Sequence, residues 1–177
     1  MKKLIATGLV VGLLTSCGSV ENVNDKKNQP QQNQKAKTNT EKTKDYPFPT
    51  ETGSVGEGEL IITTSEGDSK NGKVPAEPME KDTSRADIHV KLAKFQEDKR
   101  IFIYVDKKFQ CTTQVKELKD SGRIEDGYVV PYLSLIEEQL NYGIHTVTTV
   151  QFEGDDPSGK VLDFKEAKFE IQEIEGR

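Results

Sequence analysis

The chain has 177 residues, 33% of them hydrophobic and 31% charged, with a formal net charge of -5 at neutral pH. One domain of ordinary size fits this length, whereas a TIM barrel, a two-lobed solute-binding protein or a polytopic membrane protein does not. Two cysteines, two histidines and no tryptophan leave a small stock of reactive side chains.

Lys2 and Lys3 precede an apolar run over residues 4–14. A membrane span needs ~20 apolar residues, so this run has the length of a signal-peptide core and not of a retained anchor. Leu14-Thr15-Ser16-Cys17 follows at once. That tetrapeptide resembles the lipobox of bacterial lipoproteins, with leucine three positions before the cysteine and small residues between. The resemblance implies diacylglyceryl modification of the Cys17 thiol and cleavage between Ser16 and Cys17. Two acyl chains on one cysteine anchor a protein stably where a single chain is marginal. The expected location is therefore the extracytoplasmic face of the cell membrane, with acylated Cys17 in the lipid bilayer. Gly18 and the Lys/Asn/Gln-rich stretch after it are similar to Gram-positive lipoproteins.

Residues 17–45 read as the lipidated cysteine and a disordered polar tether. Among the 28 residues from 18 to 45 only Val20, Val23 and Ala36 are apolar. Too little apolar surface is present there to offset the entropy of ordering. Tyr46-Pro47-Phe48-Pro49 marks the boundary, where aromatics and prolines are expected to dock on the domain edge. The domain, residues 46–177, carries 17 basic and 26 acidic residues, hence 17 - 26 = -9. Nucleic acid demands a basic footprint and is excluded as a partner.

Period-two patterning dominates the domain. Residues 59–64 predict a first strand, and 65–86 a long polar loop. Residues 87–95 place Ile88, Val90 and Leu92 on one face and His89 on the other. In 100–105, Ile101, Ile103 and Val105 alternate with Phe102 and Tyr104. Asp106-Lys107-Lys108 predicts a hairpin turn, 109–115 its partner strand, and 116–126 a polar loop. Residues 127–133 predict another strand, and 134–141 a short helical crossover. Residues 144–152 and 161–174 form the closing pair. Along the last strand the apolar parity changes between Phe164 and Ala167, so a bulge near Lys165-Glu166 is expected to bring both sets to one core. About seven short strands predict an all-β sandwich.

Residues 141–147 (NYGIHTV) resemble the immunoglobulin-type corner D-x-G-x-Y-x-C, with Asn141, Gly143, His145 and Val147 at its four defining positions. The resemblance implies an Ig-like β-sandwich in which the ring at His145 hydrogen-bonds backbone upstream. Other chemistry is sparse. With Cys17 acylated no intramolecular disulfide is expected, and Cys111 reads as a small buried apolar residue. Asp155 and Asp156 stand where loop carboxylates could help hold calcium, but turn chemistry accounts for Asp-Asp-Pro-Ser-Gly without it. No metal, cofactor or catalytic residue is assigned, and the chain is not read as an enzyme. The expected function is a membrane-anchored binding or interaction module that engages an envelope protein or peptide. One alternative is a precursor of a peptide pheromone, since residues 9–16 (LVVGLLTS) look like the signal-peptide fragments that serve as pheromones in Gram-positive conjugation; another is a lipoprotein accessory of a conjugation or envelope machine.

Overall fold

A computed structural model of the chain describes residues 46–50 and 53–174, which lie in the compact unit Lys42–Arg177. The expected signal peptide, the expected processing site at Ser16 and Cys17, and the expected tether fall outside the described residues. Eleven strands are described: β1 (Glu59–Thr64), β2 (Gly67–Asp68), β3 (Ala76–Met79), β4 (Arg85–Ala93), β5 (Arg100–Val105), β6 (Lys108–Gln114), β7 (Ile124–Glu125), β8 (Tyr128–Val129), β9 (Tyr132–Ile136), β10 (Gly143–Phe152) and β11 (Val161–Glu173). One α-helix, α1 (Val115–Asp120), follows β6 directly.

The strands form two sheets in an all-β, sandwich-like fold. Sheet I has the order β2-β1-β4-β8-β7, with β9 also paired to β4, and sheet II has the order β3-β11-β10-β5-β6. All neighbours are antiparallel except β3 and β11. Strand alternation sets the core: Ile62 of β1, Val90 and Leu92 of β4 and Leu135 of β9 pack with Ile101, Ile103 and Val105 of β5, Val147 of β10 and Phe169 of β11. Each of these is fully buried, so the apolar parity of every long strand is satisfied between the sheets.

Sheet II is also buried on its other face. Phe102 and Tyr104 of β5, Val150 and Phe152 of β10, and Val161 and Phe164 of β11 form a second apolar cluster, with Tyr46, Phe48 and Phe109 packed against it. This arrangement corrects the expected bulge at Lys165-Glu166. The β10–β11 register runs unbroken from Gly143↔Ile171 to Gln151↔Asp163, and its one shift lies between Gln151 and Phe152. Phe164 and Phe169 therefore keep opposite parity because they belong to opposite cores.

Three other expectations change for local reasons. Residues 134–141 do not form a helical crossover. Residues up to Ile136 extend β9, because pairing Ile136↔Arg85 through Tyr132↔His89 carries Leu133 and Leu135 into the core. Only Glu137–Leu140 coils, as one 3-10 turn. The expected strand 127–133 is split into β8 and β9 at Val130-Pro131, where proline has no N–H to donate. Within the expected polar loop, α1 buries Val115 and Leu118 and ends at Gly122, whose φ of +72 suits a left-handed cap. The loop 65–86 contains β2 and β3, both too short and polar to show alternation.

Candidate functional site

The residues singled out at the corner converge. His145 of β10 is buried, and its Nε2 lies 2.6 Å from the Asn141 carbonyl oxygen. A carbonyl can only accept, so Nε2–H donates to it. Nδ1 lies 2.7 Å from Asp106 Oδ2, and the ring stacks on Phe169 with centroids 5.4 Å apart. Asp106 Oδ1 accepts from the Thr146 N–H at 2.9 Å. One carboxylate thus ties the β5–β6 hairpin to β10. Asp106 and Lys107 have φ of +49 and +66, the two left-handed residues of a type I′ turn made without glycine. Gly143 has φ +124, and Val147 is fully buried in the inner core.

The remaining expected positions stay apart. Asp155 Oδ1 accepts from Arg100 N–H at 2.9 Å, and Asp156 Oδ1 accepts from the Ser158 N–H and hydroxyl. Asp156 is a turn acceptor and Asp155 holds the start of β5, and among the described residues no group of three His, Cys, Asp or Glu side chains gathers where a metal ion would sit. His89 is exposed on sheet I, opposite Tyr132 in register. Cys111 is half-buried on β6 and packs against the inner core.

The outer face of sheet II carries the most organised surface. Tyr46-Pro47-Phe48-Pro49 crosses it as a strap that pairs with no strand. Tyr46 meets Phe102 and Phe109 edge-on at centroid distances of 5.2 and 4.7 Å, and Phe48 meets Tyr104 and Phe164 at 5.3 and 6.2 Å. Such edge-to-face geometry directs ring edges at ring faces. Tyr104 Oη donates to the Pro47 carbonyl at 3.2 Å. Burial pushes the Tyr104 phenol up to about 12, which keeps it a donor at neutral pH. The strap thus docks on a sheet face and not on the domain edge.

After the strap the chain is stitched to β11 by three consecutive residues. Gly58 N–H donates to Asp163 Oδ2 at 2.7 Å, and Val55 and Phe164 exchange backbone hydrogen bonds. Lys165 Nζ donates to the carbonyls of Val55 and Gly56, each at 2.9 Å. Gly56 has φ +75, and a Cβ there would lie 2.1 Å from Asp163 Oδ2. Burial holds the Asp163 carboxyl above its ordinary value, against the opposing pull of the Gly58 N–H and the Lys165 charge. On the same inner face Gln151 is fully satisfied. Its amide donates to the Gln96 and Lys99 carbonyls and accepts from Gln96 N–H.

A cleft of about 700 Å³ lies between β1 and β11, lined by Glu59, Leu60, residues 69–74, Tyr128 and residues 166–168. Its lining mixes acidic, basic and apolar side chains.

Asp106, Tyr104 and Lys165 act at these sites, although the sequence marks them only as turn, strand and bulge positions and not as site residues. Only Tyr104 left a signal, since a strand with large apolar residues at both parities is buried on both faces.

These features define a two-sheet β protein with a clamped N-terminal strap. Comparison with family models, with curated proteins and with solved structures returned no match.

Proposed function

We propose that this chain is a lipoprotein anchored on the extracytoplasmic face of the membrane, whose β-sandwich serves as a binding or interaction module at the cell envelope. The observation that carries this reading is Leu14-Thr15-Ser16-Cys17 at the end of an eleven-residue apolar run, followed by a mostly polar stretch of 28 residues. Cys17 holds the lipid, and the tether gives the domain reach. A random coil of that length spans ~30 Å on average.

An Ig-like arrangement of the domain is supported by the order β3-β11-β10-β5-β6 facing β1-β4-β9, and by the His145 ring bonded upstream to Asn141. Loops at the sandwich ends and the outer face of sheet II offer the surfaces for a protein or peptide.

Expression of the full chain in a Gram-positive host with labelled palmitate tests the anchor. Label is expected on the wild type and absent from Cys17→Ser. Equal labelling of both would remove the lipoprotein reading. Affinity capture with the membrane-bound full chain tests the module, and recovery of nothing beyond the background from membranes that lack the chain would count against it.

A further inference from the structure

The strap is held the way extended proline-containing ligands are held. Pro47 and Pro49 have no N–H, so the segment lacks two ladder donors, and proline has already restricted its backbone. Its hold on the sheet comes from ring contacts to Phe102, Tyr104, Phe109 and Phe164, with one tyrosine hydroxyl donating to one carbonyl. Aromatic-lined grooves recognise proline-rich segments with these same elements.

The receiving surface is built without the strap. Phe102 and Tyr104 stand on β5, Phe109 on β6, Phe152 on β10 and Phe164 on β11, four neighbouring strands whose register is set by their own pairing. Nor does the strap fill that surface. Clefts of about 430 Å³, bordered by Pro49, Phe152 and Pro157, and about 360 Å³, bordered by Tyr46, Arg100 and Asp155, remain beside it.

The strap and the chain that follows are held separately. Asp163 and Lys165 fix residues 54–58 through Ser54 Oγ, the Val55 and Gly56 carbonyls and the Gly58 N–H. Between the two holds stand the exposed Thr50 and Gly53, the latter at φ +136.

We propose that the aromatic groove of sheet II is a binding site for an aromatic-proline-aromatic-proline segment, occupied in cis by residues 46–49 and in trans by the same segment of a second copy. Reciprocal exchange conserves every strap–groove contact and closes a two-fold dimer. The cost is association entropy. Where the anchor confines copies to one surface, that cost falls because their effective concentration rises. This deepens the interaction-module reading by naming its site and partner, and it holds or fails independently of the lipid on Cys17.

The experiment places the photo-crosslinking residue benzoylphenylalanine at position 48 of the full chain in normal isotopes. It is mixed in detergent with an equal amount of full-length, isotopically heavy wild type, incubated, irradiated and mapped by mass spectrometry. Exchange predicts crosslinks from light position 48 to heavy peptides containing Phe102, Tyr104 or Phe164, approaching about half of all links. The same links should fall at least fivefold when the heavy copy carries Tyr104→Ala. Light-to-light links alone would overturn the proposal, as would links that miss the groove or are indifferent to Tyr104→Ala. Loss of Cys17 labelling with exchange intact would remove only the anchor, and intact labelling without exchange would remove only the groove.

Discussion

The two faces of sheet II are buried by different means. The inner face meets a second sheet, and its core is mostly aliphatic: Ile101, Ile103, Val105 and Val147 against Ile62, Val90, Leu92 and Leu135. The outer face is mostly aromatic and is covered by one four-residue strap, whose Tyr46 and Phe48 stay partly exposed. A sheet brings backbone ladders and many side chains to its interface. A strap with two prolines brings ring contacts and an accepting carbonyl. The inner core therefore defines the fold, and the outer one is a cover that can be weakened while the sandwich stands.

The largest test of that contrast is Phe169→Ala, which removes a fully buried inner ring and the surface on which His145 stacks. A loss of about 3–5 kcal/mol is expected in urea unfolding. His145→Ala should cost about 2–3 kcal/mol, since it leaves the Asn141 carbonyl without its donor and removes a buried ring from Phe169. Phe48→Ala should cost about 1–2 kcal/mol, reflecting a ring only partly withdrawn from water, and should raise binding of a hydrophobic dye with the far-ultraviolet spectrum unchanged. A Phe48→Ala loss as large as that of Phe169→Ala would collapse the distinction between core and cover.

The smallest effect is electrostatic. Asp163 titrates above the ordinary aspartate value, so the folded state keeps a proton that the unfolded chain has released. Its contribution therefore declines as pH rises from the ordinary aspartate range through the folded value. Asp163→Asn keeps an acceptor for the Gly58 N–H and removes the buried charge. A Tm gain of a few degrees at about pH 7, vanishing near pH 3, is expected in thermal melts. A gain of equal size at both values would assign the effect to packing.

Long strands with clean alternation were legible from the residues alone. β1 and β5 lie at their expected bounds because each carries an uninterrupted apolar parity. Short or edge elements were not. Gly67–Asp68 and Ala76–Met79 are strands only because β1 and β11 offer them an edge, information held elsewhere in the chain. Leu135, Ile136, Gln139 and Leu140 have helical spacing, yet pairing with β4 overrides that preference. His145 and Asn141 could be paired because four residues separate them. Asp106 stands 39 residues from His145, and nothing local marks it as the second acceptor. Phe164 and Phe169 show the most instructive misreading, in which a change of parity marked two cores and not one distorted strand.

Gln151 has a consequence for how the sandwich assembles. Its buried amide meets three backbone groups of Gln96 and Lys99, in the turn that carries the chain from sheet I to sheet II. Slipping β10 by two residues would put Thr149 or Glu153 at that position, and neither side chain supplies both the two donors and the acceptor that the turn consumes. A slipped sheet would bury unpaired carbonyls, at a cost of about 1–3 kcal/mol for each. One glutamine thereby sets a penalty on misregistered pairing of β10 and favours the native alignment.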